Sequence, residues 1–273
     1  MKIKNINTSL YKGIVHDIEV ETFHNYYVES CLVHNCHESS TTKGQHGDLS
    51  KLAAILSALP QGVELAIGGG NPLSHPYLKT FLSHAKEEGF ICNLTVNQGH
   101  LGKHFALIEE LISEGLIKGI GVSITSNNFV YIKKLSALTK HMVIHVIAGV
   151  ADVKIMDRLI ELDNPKVLVL GYKQFGFGID YYSDAVQQSI NKWYSHIRQY
   201  FGKCVLSFDN LALEQLKIKR FFTDEGWDCF YMGDDGHYSM YIDAVKQEYA
   251  RTSRSSDRTS FQMPLLDYFK HVL

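Results

Sequence analysis

The sequence predicts an α/β protein whose parallel sheet is preceded by a short all-β segment. Three observations carry this. Short apolar runs alternate with amphipathic helical stretches from residue 48 to residue 208. Most of those runs end in Gly, Asn, Ser or Thr. Upstream, residues 14–33 are rich in Val, Ile, Tyr and Leu and stop at Leu32-Val33-His34-Asn35-Cys36.

In the leading segment, Ile14, His16, Ile18 and Val20 share one strand face, and Val15, Asp17 and Glu19 the other. Residues 21–25 join this strand to a second over 26–33, broken at Glu29-Ser30. Asp48 is placed to cap a helix over 49–59, which Pro60-Gln61-Gly62 ends. A strand over 63–67 stops at Gly68-Gly69-Gly70. A helix over 76–88 is closed by Gly89. Strands over 90–96, 119–124, 142–147, 166–170 and 205–208 then alternate with helices over 103–113, 129–138, 152–162 and 183–201. Around Asp235-Gly236 the aromatic alternation of 230–243 predicts a hairpin. The polar, basic stretch 251–259 reads as a connector. Asp234, Asp235 and His237 fit either an acidic turn or a cation site.

The junction at residue 35 carries chemistry. The side-chain amide of an Asn can attack its own backbone carbonyl, forming a succinimide and breaking the next peptide bond. An adjacent imidazole assists by polarising the carbonyl or protonating the leaving nitrogen. His34 stands beside Asn35. Cys36 supplies a thiol with an ordinary pKa of about 8.5, able to accept an acyl group from an upstream thioester.

Asp17 to Val28, followed by Leu32 to Cys36, resembles the two C-terminal motifs of inteins: a Val-x-Asp strand with a His-Asn-aromatic step, then Val-His-Asn before a nucleophile. The resemblance implies that Asn35 cyclises, His34 assists, Cys36 accepts the acyl group, and His24 and Asp17 act as assisting groups. An intein's own first nucleophile and its Thr-x-x-His motif have no counterpart here. Thirty-five residues are too few to bury a core of their own. The segment is therefore expected to be the C-terminal half of a split intein (Hint fold), needing no cofactor. It would pair with an N-terminal half that carries its own flanking polypeptide.

The strand ends form a second group. In order they carry Gly68-Gly69-Gly70-Asn71-Pro72, Thr95-Val96-Asn97-Gln98-Gly99, Ser123-Ile124-Thr125-Ser126, Ala148-Gly149 and Gly171-Tyr172-Lys173. Glycine lets a backbone approach a ligand closely, and Asn, Ser and Thr hydrogen-bond without charge. The same residues also serve ordinary βα turns. Parallel sheets place their sites at these carboxyl ends.

Cys36-His37-Glu38-Ser39-Ser40, then a helix, then a strand ending in glycines, resembles the radical S-adenosylmethionine enzymes. There a Cys-x-x-x-Cys-x-x-Cys loop binds a 4Fe–4S cluster through thiolates. The resemblance implies that Cys36 is the last of those ligands. It also implies that Gly68, Gly69, Gly70 and Asn71 meet the amino group of S-adenosylmethionine, and that Asn97, Ser123 and Lys173 make further contacts. The reductively cleaved cofactor would supply a 5′-deoxyadenosyl radical to an unidentified substrate. Departures are visible. The first two cysteines and the first barrel strand are absent, and the usual Glu of the glycine motif is replaced at Gly70-Asn71. Joining a polypeptide that ends in Cys-x-x-x-Cys-x-x to Cys36 would complete the loop.

The expected organisation is residues 1–35 as the split-intein fragment, 36–226 as a partial barrel, and 227–273 as a hairpin and tail. The 273 residues are 45% hydrophobic and 21% charged, with net charge −2, a balance that points to neither nucleic acid nor a membrane surface. No apolar run is long enough to span a bilayer. Five cysteines at irregular spacing suggest no disulfide framework, and a cytoplasmic location is expected. Two other readings fit the same residues: a non-redox barrel that binds a nucleotide or sugar, and an inactive remnant without a partner half.

Overall fold

The computed structural model describes residues 17–20, 26–28, 31–33, 45–124, 126–174, 177–253 and 255–272. Its centre is six parallel strands: β4 (Glu64–Ile67), β5 (Ile91–Asn97), β6 (Gly119–Ser123), β7 (Met142–Ile147), β8 (Lys166–Leu170) and β9 (Val205–Phe208). They pair in chain order, from Glu64↔Ile91 at one side to Val169↔Phe208 at the other. Helices α1 (Leu49–Leu56), α2 (Leu78–Glu87), α3 (Gln98–Ser113), α4 (Val130–Leu138), α5 (Ile155–Leu159), α6 (Phe177–Asp180), α7 (Asp184–His196) and α8 (Asn210–Gln215) are interleaved with them. The expected parallel α/β architecture is therefore present.

The strands read apolar because one face packs on helices. Leu94, Val96, Ile144, Val146, Val167 and Val169 are buried with Leu52, Leu82, Leu101, Ile108 and Trp193. The Trp193 indole N–H donates to the Ala151 carbonyl at 2.7 Å, fixing α7 over the end of β7. Val143, Leu168 and Leu170 form a separate cluster. His145 shares their strand parity, and the buried Asn93 and Thr95 likewise alternate with Leu94 and Val96.

Asp48 caps α1 as expected, its carboxylate accepting from the N–H groups of Ser50 and Lys51 at 3.1 Å each. Other boundaries differ. α3 begins at Gln98, five residues before the expected start, because the Asn97 side chain caps it by accepting from Gly99 N–H at 2.8 Å. α5 covers only the middle of the stretch expected to be helical.

The C-terminal part departs most. Residues 230–243 are not a hairpin. Thr223 caps a helix, α9 (Asp224–Phe230), through Gly226 N–H, with Asp224 and Glu225 favourably placed in its first turn. Gly233 and Gly236 take positive φ in the irregular stretch that follows. The hairpin lies further on, between β10 (Ser239–Asp243) and β11 (Glu248–Ala250), with Gln247 at φ 60° in its turn. Asp243 accepts from the N–H groups of Val245 and Lys246, which sets that turn. β12 (Thr259–Ser260) and α10 (Leu265–Val272) complete the chain.

In the leading segment, β2 (Tyr26–Val28) and β3 (Cys31–Val33) pair antiparallel as a two-stranded sheet. β1 (Asp17–Val20) instead joins the large sheet, parallel to both β4 and β10. It holds the place next to β4 where the sequence left the first barrel strand missing. The physical reason is the free parallel edge of β4: a four-residue strand with alternating apolar residues satisfies that ladder.

Candidate functional site

The candidate residues lie along one edge of the sheet, at the carboxyl ends of β4, β5, β6 and β8. Gly68, Gly69 and Gly70 follow β4, and Gly69 has φ 131°, a conformation that favours glycine. Asn71 comes next and opens a 3₁₀ turn, Pro72–Ser74. Its main-chain carbonyl accepts from both Ser74 N–H (3.0 Å) and Ser74 Oγ (2.7 Å). Its side chain makes no capping bond, and its buried Oδ1 has no hydrogen-bond partner. The amide Nδ2 lies 3.5 Å from His104 Nε2.

Asn97 ends β5 and spends its side chain on the α3 cap. The buried Gln98 beside it accepts from Ser126 N–H at 2.9 Å and donates to the Asn128 carbonyl, tying β5 to the loop after β6. Ser123 is the last residue of β6 and is half-buried.

Lys173, after β8, is 9% exposed and faces the carboxylate of Asp209, after β9. Asp209 is 1% exposed. Its Oδ1 accepts from Gly171 N–H (2.9 Å) and Ala212 N–H (2.7 Å), which locks β8 to the start of α8. Burial pushes its carboxyl above the ordinary range, against the pull of Lys173 and of these two N–H groups. Gly171 is needed for this approach, since a Cβ there would lie 2.8 Å from Ala212 N.

Beneath this rim, Asn93 donates to Glu64 Oε1 at 2.7 Å, and His145 is fully enclosed, its pKa lowered by burial to about 3.

His24, His34, Asn35 and Cys36 fall outside the described residues, while Asp17 begins β1 opposite Glu64 and Ser239. Among the described residues no group of three or more His, Cys, Asp or Glu side chains is placed to hold a metal. Their free cysteines are unsuited to a cluster: burial raises Cys92 to about 12 and Cys204 to about 11, and Cys229 lies apart on α9.

Sequence reasoning missed Asp209, His104 and His145, and named Gln98 only as part of a strand end. Asp209 has a legible signal, a capping residue directly after an apolar strand. His104 has none, because its role depends on where α3 bends.

Three solved structures of Streptococcus suis SuiB, a radical S-adenosylmethionine enzyme, are similar to this chain in fold. SuiB bound to the precursor peptide SuiA aligns with TM-score 0.60 and 15% identity over 94% of this chain. SuiB bound to S-adenosylmethionine aligns with TM-score 0.57 and 14% identity over 98%. SuiB alone gives 0.55 and 16% over 94%. The likeness is one of fold. This chain spans 64, 71 and 65% of the length of those three chains, respectively. No family model matches the sequence, and no curated protein is similar to it in sequence. Among the described residues no helix is long and apolar enough to cross a membrane.

Proposed function

We propose that the chain is the C-terminal precursor of a trans-spliced radical S-adenosylmethionine enzyme. One observation carries the reading: Val33-His34-Asn35-Cys36 lies in the chain between β1 and β4 of a sheet that resembles that of SuiB, where the family resemblance puts the last cluster cysteine. Position 36 then serves twice, first as acyl acceptor and later as iron ligand.

The splicing steps use this chain's own groups. The Cys36 thiolate attacks a thioester carried by the partner half, and that half's thiol leaves. The Asn35 side-chain nitrogen attacks its own carbonyl, a succinimide forms, and the 35–36 peptide bond breaks. His34 delivers the proton to the departing amine of Cys36. That amine then displaces the Cys36 sulfur from the acyl group, leaving an ordinary peptide bond and a free thiol.

In the joined protein, S-adenosylmethionine would supply a 5′-deoxyadenosyl radical when reduced by one electron. Its amino group suits the orphaned Asn71 Oδ1, and Gly69 leaves the backbone open beside it. The cluster does not fit the described cysteines. It would need Cys36 together with two cysteines from the partner half.

The test is mass spectrometry of the chain mixed with its N-terminal half. Release of residues 1–35 is expected, and Asn35→Ala should abolish it. Cleavage that persists between 35 and 36 in the variant refutes the role of Asn35. Anaerobic iron and sulfide reconstitution of the joined product tests the second half of the reading. Absence of iron–sulfur absorbance would favour a non-redox nucleotide- or sugar-binding barrel.

A further inference from the structure

The glycine motif of this chain lacks the acid that the family resemblance leads one to expect, and the structure contains a replacement. Asn71 stands at the position that caps the 3₁₀ turn, yet Pro72 has no N–H to offer and the Ser74 N–H is taken by the Asn71 main-chain carbonyl. Its side-chain amide therefore faces away from the turn. The Oδ1 is buried without a partner, a condition that costs stability in the absence of a ligand donor.

An Asn amide has two ends, and only one can serve an ammonium group. What turns the oxygen toward the ligand must hold the nitrogen. His104 is the group in reach, with Nε2 at 3.5 Å from Asn71 Nδ2. His104 is also the one residue of α3 with non-helical dihedrals (φ −115°, ψ 15°), where two helical segments meet at a kink. That bridge-region conformation aims its ring at the β4 loop. Desolvation, then the neighbouring positive charge of Lys103 and of His100, lowers its pKa, so the ring is neutral and Nε2 can accept.

We propose that His104 is a positioning residue: it accepts from Asn71 Nδ2 and so fixes Asn71 Oδ1 as the acceptor for the α-amino group of a bound S-adenosyl amino acid. The inference rests on the S-adenosylmethionine reading above and names how this chain compensates for the missing carboxylate.

Isothermal titration of the joined product with two probes tests it. One probe is S-adenosylhomocysteine; the other is the analogue in which hydrogen replaces its amino group. His104→Phe should weaken the first about tenfold, the effect of one charge-assisted hydrogen bond, and leave the second unchanged. His104→Gln, which keeps an acceptor, should restore binding of the first to within about threefold of the unsubstituted joined product. Equal loss of both probes, or loss of neither, overturns the proposal while leaving the cofactor reading intact. If the unsubstituted joined product binds neither probe, the cofactor reading fails and this inference falls with it. A measurement without any variant gives a second check. Long-range ¹⁵N–¹H spectra of the unsubstituted chain should show His104 protonated at Nδ1 and bare at Nε2, and a proton on Nε2 overturns the assignment.

Discussion

His145 gives the protein an acid-sensitive core. The residue lies in the middle of β7 at 1% exposure, and burial lowers its pKa from 6.5 to about 3. In the unfolded chain the imidazole regains its ordinary value. Between those two values the unfolded chain binds a proton that the native state refuses. Stability is therefore intact above pH 6.5 and is lost as pH falls toward 3. One pH unit in that window corresponds to about 1.4 kcal/mol, so a drop from pH 7 to pH 5 removes about 2 kcal/mol through this one side chain. Marginally stable domains hold only about 5–15 kcal/mol in total. The assay is urea unfolding at both pH values, comparing the unsubstituted chain with His145→Leu and His145→Asn. Carboxylates titrate alike in all three proteins and cancel in the comparison. Both variants should lose about 2 kcal/mol less than the unsubstituted chain over the same interval. Equal losses would refute the claim that the ring is held neutral by burial.

Two further substitutions probe the rim. Gly171→Ala drives a Cβ to within 2.8 Å of the Ala212 backbone nitrogen and 2.5 Å of Leu211 Cγ. It should destabilise by about 3 kcal/mol, read as a lower urea midpoint, because a main-chain contact cannot rotate away. Asp209→Ala strips the acceptor from Gly171 N–H and Ala212 N–H and should cost about 2–5 kcal/mol. Asp209→Asn retains Oδ1 and should cost less than half as much in the same titration, and equal costs would show that its charge, not its acceptor, secures β8 to α8.

Strand positions were legible because parallel strands buried against helices announce themselves as short apolar runs. β5 to β9 fall where Cys92, Ile120, Ile144, Val167 and Leu206 predict. Helix starts were legible where a side chain caps them, as at Asp48, and were misplaced where the cap was read as a candidate ligand contact, as at Asn97. The region after residue 223 was misread because Asp235-Gly236 is a strong local turn signal. Tertiary packing gives the turn to residues 244–247 instead, where β10 must fold back on β11 beside β1. The glycine motif at the end of β4 could be found by pattern. The charge and tautomer of the group beside it could not, because the Asn71–His104 contact spans 33 positions and depends on a helix kink that leaves no mark in residue type.

The place of Asp17–Val20 in the sheet leads to a prediction of its own. β1 makes parallel ladders with β4 on one side and β10 on the other, with Val20 opposite both Ile67 and Ile242. A parallel ladder protects backbone amides from exchange only while both strands remain paired. A chain restricted to residues 36–273 loses β1, so the facing edges of β4 and β10 become unpaired. Amide exchange measured by mass spectrometry or NMR should then quicken at Ala66, Met240 and Ile242. Leu94 of β5 and Ile144 of β7, whose neighbours on both sides survive, should exchange as before. The shortened chain should also associate more readily, since an open apolar edge is a template for pairing with another copy. Unchanged protection across β4 and β10 would mean that Asp17–Val20 is not their partner in solution. The edge would then be filled from elsewhere, and the strand would belong with β2 and β3 in the leading β segment that the sequence describes.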